Sequence, residues 1–362
     1  MQKSPLCFVY SFNHHRAGLE LREHLKPGDA ERSLFIERLG QMKGLEEYLI
    51  LDTCNRWELY GVAESSELCP QIWQRVSELF PLSDEELESI VTKHHGEEMV
   101  KHLFEVSSGV DSQMIGETEI FGQVKKALSE ASHNHTVHSV LTRIFSKAFQ
   151  AAKWVRTHTM IGRGQVSIGN VSVDLAGRIF GELRQCRVLV VGTGEVGRQT
   201  AQALKNRKVE SLTFASRKLE NAERFAFEIG GEVIPFEAFR EHLHAYDIVI
   251  ACTSAQETIM DRDCVRKALA KRSFKPLFLI DLGLPRNIEP TVSRLSQVFL
   301  YNLDDVSEIA NANLETRAME IEECKGILSG RARATWTDVT RRFNGKIEDS
   351  RAGEAAAEQG AV

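Results

Sequence analysis

The sequence predicts an α/β chain in three parts: an N-terminal α/β unit with a helical bundle, a doubly wound parallel sheet, and a long C-terminal helix. Three observations carry that prediction. Apolar runs at 186–191, 211–215, 247–252, 277–281 and 298–301 mostly alternate with helical stretches, the pattern of a parallel sheet with crossover helices. The first run leads into Gly192-Thr193-Gly194-Glu195-Val196-Gly197, a glycine loop between strand and helix of the Rossmann kind. After Asn302 the apolar positions Val306, Ile309, Leu314, Ile321 and Ile327 recur on one face, as in a single amphipathic helix.

The elements follow in order. Residues 6–12 read as a strand, a helical stretch begins near Gly18, and 46–52 and 57–62 read as two further strands. Pro70 and Pro81 punctuate helices, the second capped by Ser83 with Glu86 three residues on. From Glu97 to about Arg156 the apolar spacing is helical throughout. A glycine-marked linker at 160–164 separates the domains. The expected boundaries are 1–160 for the N-terminal domain, 161–304 for the nucleotide domain and 305–345 for a helical spine. The Ala/Glu/Gly-rich stretch 346–362 is expected to be disordered.

Composition bounds the function. The 362 residues have room for two or three domains. No apolar run is long enough to cross a bilayer, and no signal peptide is expected at the start. Seven scattered cysteines without a CxxC pair are free-thiol usage in a reducing compartment, so a cytoplasmic protein with no metal site is expected. A net charge of −6 argues against indiscriminate nucleic-acid binding. Yet between Glu130 and Asp174 no acidic residue occurs, while Arg143, Lys147, Lys153, Arg156 and Arg163 do. That stretch reads either as a solvated basic helix face or as a phosphate-facing surface.

In the glycine loop Gly192 makes the tight turn, Gly194 admits a pyrophosphate and Gly197 permits close helix packing. Thr193, Glu195 and Val196 complete the cofactor-binding segment, with phosphate at the helix N-terminus. The next strand ends in Ala215-Ser216-Arg217-Lys218 rather than in a carboxylate. A hydroxyl and two cations suit a 2′-phosphate, so NADPH is favoured over NADH.

Cys54 lies in Leu51-Asp52-Thr53-Cys54-Asn55-Arg56 at the end of a strand. A guanidinium beside the sulfur would stabilise its thiolate, although free cysteine is more often an inert small hydrophobe. A thiolate can take an acyl group as a thioester, and a nicotinamide can then deliver hydride to it. The pair suggests reduction of an activated acid to an aldehyde.

Further segments occur in a telling order: Asn13-His14, Thr53-Cys54-Asn55-Arg56, His102-Leu103-Phe104, Gly109-Val110-Asp111-Ser112, Ile115-Gly116-Glu117, Gly122-Gln123-Val124 and Val155-Arg156-Thr157. The glycine loop follows, then Asp281-Leu282-Gly283-Leu284-Pro285-Arg286 and Tyr301-Asn302-Leu303-Asp304-Asp305. Over roughly residues 6–320 this closely resembles the glutamyl-tRNA reductase family, which commits glutamate to tetrapyrrole (porphyrin) synthesis. The resemblance implies that Cys54 attacks the ester joining glutamate to tRNA(Glu), and that NADPH reduces the thioester to glutamate-1-semialdehyde. It implies a catalytic role for His102, in polarisation or proton transfer. It places Thr53, Asn55, Arg56, Ser112, Glu117, Thr118, Glu119 and Gln123 about the substrate, with Arg56 as a bidentate partner for the glutamate side-chain carboxylate. A hand-off to an aminomutase, glutamate-1-semialdehyde aminomutase, is a further implied partnership.

Three departures stand out. Glu119 replaces the family's usual Gln, His15-Arg16-Ala17-Gly18 replaces a segment in which a small hydroxyl residue and a proline are commoner, and only residues 335–362 follow Ala334. On that last departure the family's C-terminal dimerisation domain is expected to be missing, and the family's homodimer is not expected to form in the usual way. Two rival readings accompany the main one: a shikimate dehydrogenase-like NADP enzyme with Cys54 merely packed, and a non-catalytic relative that binds tRNA or a partner. NADPH oxidation with charged tRNA, free glutamate and shikimate-like acids separates the three.

Overall fold

A computed structural model of the chain describes residues 6–117, 119–159, 161, 167–272, 275–311 and 318–359. Two compact units result, the first of residues 1–165 and 315–362, the second of 166–314.

The first unit is built on four strands, β1 (Leu6–Asn13), β2 (Leu45–Asp52), β3 (Arg56–Ala63) and β4 (Val91–His95), in the antiparallel order β2-β3-β1-β4. Its helices are α1 (Leu19–His24), α2 (Asp29–Gly40), α3 (Cys69–Ser77), α4 (Asp84–Ile90), α5 (Gly96–Ser108), α6 (Glu119–His133) and α7 (Ser139–His158). All eight residues of β3 are buried because both sheet faces are covered. Phe8, Tyr10, Phe12, Trp57 and Leu59 pack with Phe35, Ile72 and Leu87 of α2, α3 and α4. The alternate residues Cys7, Val9, Tyr60 and Val62 pack with Val100, Leu103, Phe104, Ile144 and Phe145 of α5 and α7. The capping box read at Ser83 and Glu86 is present at α4. Strand β4 was not read from the sequence, because Thr92, Lys93, His94 and His95 give an edge strand little apolar content.

The second unit holds six parallel strands: β5 (Arg187–Val191), β6 (Ser211–Ala215), β7 (Glu232–Val233), β8 (Ile248–Ala251), β9 (Leu277–Asp281) and β10 (Val298–Asn302). Their order, β10-β9-β8-β5-β6-β7, is the doubly wound arrangement, with the crevice at the reversal between β5 and β8. Helices α8 (Ile168–Phe180), α9 (Glu195–Asn206), α10 (Leu219–Ile229), α11 (Phe239–His242), α12 (Arg262–Ala270) and α13 (Leu303–Asn311) complete it. Only the two-residue β7 escaped the sequence reading.

The spine is corrected in two respects. It divides into α13, which packs on α8 in the second unit, and α14 (Ala318–Gln359), which packs on α5 and α7 in the first. Cys324, Leu328, Ala332 and Val339 of α14 enter the same core as Val100 and Ile144, so burial divides a periodicity that looked continuous. Leu314 and most of the 160–164 linker lie outside the described residues. The stretch expected to be disordered is helical as far as Gln359, consistent with the high helix propensity of its Ala and Glu. Among the described residues, no helix is long and apolar enough to cross a membrane.

Candidate active site

Cys54 sits in the turn joining β2 to β3. Thr53 closes that turn: its N–H donates to the Arg56 carbonyl at 2.9 Å, and its Oγ1 accepts from the N–H groups of Asn55 and Arg56 at 3.2 and 3.1 Å. The end of β1 holds the turn from the side, the His14 N–H donating to the Asn55 carbonyl at 3.1 Å. Cys54 is half-buried at this rim, as a strand-end position suggested.

Next to the turn, the inward-facing residues of β3 change from apolar to charged. Arg56 and Glu58 are 1% and 0% exposed at the side chain and pair at 2.8 Å. Glu58 also accepts from Ser11 Oγ at 2.8 Å, Tyr60 Oη at 2.6 Å and His102 Nε2 at 2.8 Å. The other arm of Arg56 donates to the Asp111 carbonyl and to its carboxylate at 3.0 Å, and His15 Nε2 meets that carboxylate at 3.0 Å. His102 projects from α5 with its ring stacked on His94, centroids 5.1 Å apart.

The charge states follow from these contacts. Burial opposes ionisation of Glu58, but His102 and Arg56 outweigh it and hold the carboxyl well below its ordinary range. His102 is raised despite its burial, through the Glu58 charge and hydrogen bond. Asp111 is held low against its burial by the His15 hydrogen bond and Arg56. His14 is lowered to about 3, first by burial and then by His15 and Arg56, so its imidazole is neutral.

Two expectations change here. The Arg56 fork, assigned by resemblance to a substrate carboxylate, is engaged by Glu58 and Asp111. The Cys54 thiol is pushed up to about 11 rather than down, by burial first and by Glu117 next, with Lys26 and Arg22 opposing. The cations that pull the thiol down are thus Lys26 and Arg22, not the adjacent Arg56, whose fork pairs with Glu58 and Asp111. Arg56→Lys is accordingly expected to destabilise the first unit by roughly 2–3 kcal/mol, since a point charge cannot bridge both carboxylates. Urea unfolding checks this; an unchanged midpoint would show that the bridge carries no stability.

The remaining predicted residues lie on the loop after α5 and the start of α6. Gly109 adopts φ +77°, where a Cβ would come within 2.7 Å of the Glu117 carbonyl oxygen. That close approach folds the loop back, and Arg156 of α7 fastens the same carbonyl at 3.1 Å. Burial holds the Glu117 carboxyl above its ordinary range, with Ser112, Arg56 and Arg156 opposing. Ser112 is buried and Gln123 half-buried. Glu119 occupies the first turn of α6, where a carboxylate suits the helix dipole, and it has a partner of its own. Thr118 lies outside the described residues.

Sequence reasoning missed Arg22, Lys26, Glu58 and the ion pairing of Asp111. For Glu58 a signal existed: Arg56, Glu58 and Tyr60 alternate, so one face of β3 carries them all. The others depend on contacts distant in sequence. Of the five cations in the acid-poor stretch, Arg143 pairs with Asp338 at 2.6 Å and Arg156 lies over Phe121. Lys153 is exposed, Lys147 donates to Gln150 at 3.3 Å, and Arg163 lies outside the described residues.

In the second unit the glycine loop has the geometry its spacing implies. Gly192 has φ +116°, and a Cβ there would sit 2.5 Å from the Cys252 carbonyl oxygen. A Cβ on Gly197 would sit 2.4 Å from the Gly192 carbonyl oxygen, whereas one on Gly194 would meet no protein atom within 4 Å. Gly194 N-caps α9, so the open space faces the helix N–H groups begun by Glu195 and Val196. These residues fit a dinucleotide pyrophosphate, since the loop leaves room for it where the backbone donors point. Thr193 Oγ1 donates to Ser216 Oγ at 3.3 Å, joining the loop to the end of β6, where Arg217 and Lys218 are exposed. Gly194→Ala is therefore expected to weaken nucleotide binding at least about tenfold with little change in stability. Calorimetric titration with NADPH and a melting curve check both halves.

Residues 10–159 match the family described as glutamyl-tRNAGlu reductase, N-terminal domain, and residues 174–309 match shikimate / quinate 5-dehydrogenase. The chain is 35% identical over 325 residues to the glutamyl-tRNA reductase of Sulfurihydrogenibium sp., covering 89% of this chain and 74% of that protein. To that of Akkermansia muciniphila it is 35% identical over 318 residues, covering 87% and 93%. Among solved structures, glutamyl-tRNA reductase from Methanopyrus kandleri matches with a TM-score of 0.50 and 32% identity, over 94% of this chain and 81% of that one.

Proposed function

The chain belongs to the glutamyl-tRNA reductase family, a family of oxidoreductases, and on that premise we propose that it reduces glutamyl-tRNA to glutamate-1-semialdehyde through a thioester on Cys54. The observation that carries this reading is Cys54 in a turn fixed to a strand whose next inward residues are the Arg56–Glu58–His102 network. Cys54 Sγ attacks the ester carbonyl carbon. The ester C–O bond breaks, the tRNA leaves as its terminal alcohol, and the thiol proton ends on that oxygen. NADPH, when bound, supplies the hydride that releases the aldehyde as the C–S bond breaks.

His102 acts on the carbonyl oxygen. Glu58 occupies Nε2 and favours the charged form of the ring, in which Nδ1–H is the donor to the negative charge that develops there. Glu117 suits the substrate's ammonium group, being a carboxylate in a buried, polar loop. Thr53 and Asn55 shape the turn, and Ser112 and Gln123 contribute polar groups from the neighbouring loop and α6.

Ser216, Arg217 and Lys218 favour NADPH over NADH through the 2′-phosphate. Replacing both cations by Ala is expected to raise the Kd for NADPH about tenfold to hundredfold while leaving that for NADH nearly unchanged. Parallel losses for the two nucleotides would refute a 2′-phosphate site. The tRNA backbone lies along α7, where Lys147 and Lys153 offer charge; Lys147 also lines a groove of about 1040 Å³ with Arg143 and Arg342 of α14. The free cysteines suit the cytoplasm. Transfer of the reactive aldehyde to an aminomutase is part of this reading, testable by co-purification. The decisive assay mixes protein and charged tRNA without NADPH: mass spectrometry is expected to find a glutamyl adduct on Cys54, and none on the Cys54→Ser variant.

A further inference from the structure

We infer that Arg22 and Lys26, cations outside the segments that carry the family resemblance, are positioning residues that brace the Cys54 turn and supply the positive field in which its sulfur ionises. The inference rests on Cys54 being the nucleophile. Arg22 projects from α1 and is 3% exposed. One of its terminal nitrogens donates to the Cys54 carbonyl at 3.2 Å and to Asn55 Oδ1 at 2.6 Å. Lys26, just beyond α1, donates to the Thr53 carbonyl and pairs with the Asp52 carboxylate. Three consecutive residues of the turn thus accept from two cations that reach them from a different element.

Burying an arginine costs free energy unless its charge is used. Here it is directed at a turn whose functional atom carries negative charge only during reaction. The groups around the sulfur come from every neighbouring element. Arg22 and Lys26 come from the α1 side, and Asp52 of β2 partly neutralises Lys26. Glu117 comes from the loop after α5, itself facing Arg156 of α7, and Glu119 comes from α6. Arg56 of β3 is paired with Glu58 and Asp111, and His14 at the end of β1 is neutral. Among these, Lys26 and Arg22 pull the thiol toward ionisation, against burial, Glu117 and Glu119. The substrate ammonium, once beside Glu117, would relieve part of that opposition and leave the two cations in control.

Alkylation of the full-length chain by iodoacetamide reads the thiolate directly. The sulfur displaces iodide, an S–C bond forms, and the thiol proton goes to water. The rate at Cys54, resolved by peptide mass spectrometry, is expected to rise through pH 9–10 without levelling below about 11. Lys26→Gln and Arg22→Gln should each shift that curve to higher pH and slow alkylation at pH 9 by about three- to tenfold. Cys69 and Cys264, both half-buried, serve as controls whose curves should not move. Arg22→Lys should recover part of the rate; should Arg22→Gln not fold, Lys26→Gln and Arg22→Lys carry the test. Curves for Cys54 that superimpose on the parent's in folded variants would overturn the inference. Glutamyl transfer separates the two proposals: no adduct in the parent refutes the thioester, whereas equal rates in parent and variants refute the role of the cations alone.

Discussion

Cys54→Ser is expected to abolish semialdehyde formation, with a loss of at least about a thousandfold, while NADPH binds as before. A serine hydroxyl has nearly the same shape, so the turn closed by Thr53 and held by Arg22 should survive. What it lacks is the far easier ionisation and the greater nucleophilicity of a sulfur, and the ester it would make with glutamate is far less reducible than a thioester. Nucleotide binding belongs to the second unit, whose glycine loop contains no part of the substitution. Single-turnover assays with charged tRNA and titration with NADPH check the two halves. Sustained aldehyde production by the serine variant would remove the covalent route.

Glu58→Gln should have the largest effect on stability, about 3–5 kcal/mol, because it leaves Arg56 and His102 buried beside a neutral amide. It should also lower activity by about 10²- to 10⁴-fold, since His102 would lose the carboxylate that favours its charged, proton-donating form. The pH dependence gives a sharper signature. Glu58 and Asp111 are held below their ordinary range in the fold, so their stabilisation is complete above the unfolded carboxylate range, ~4–4.5. It is lost as pH falls through their depressed values. His102 is raised in the fold, so its stabilisation is complete below the unfolded imidazole value of ~6.5. It fades as pH rises through the raised value. The parent should be most stable between about pH 4.5 and 6.5 on account of this network, and Glu58→Gln should lose most of the alkaline limb and part of the acid limb. Urea unfolding across pH measures it. A variant profile parallel to the parent's would show that the network does not couple these protons to folding.

The second unit was legible almost entirely in sequence. Its strands are short apolar runs, its glycine loop follows one of them, and both signals are local. Most of the first sheet was legible too, but β4 was not, because an edge strand of Thr92-Lys93-His94-His95 shows no apolar alternation. The spine misled for a related reason: a helical period records that one face is buried, not against what. Val306 and Ile321 share the recurring face read from the sequence, yet they pack in different units.

The sequence by itself determined which chemistry is available: a cysteine at a strand end, a histidine on a helix, and a glycine loop with cations after the second strand. Tertiary structure decided the charge state in which those groups stand. Arg56 is consumed by Asp111, 55 residues away, Cys54 is a thiol because of Glu117 and burial, and its cations arrive from beyond the motif. Secondary structure follows from neighbours a few residues apart, whereas ionisation sums burial and charge over everything within several ångströms, wherever in the chain it originates.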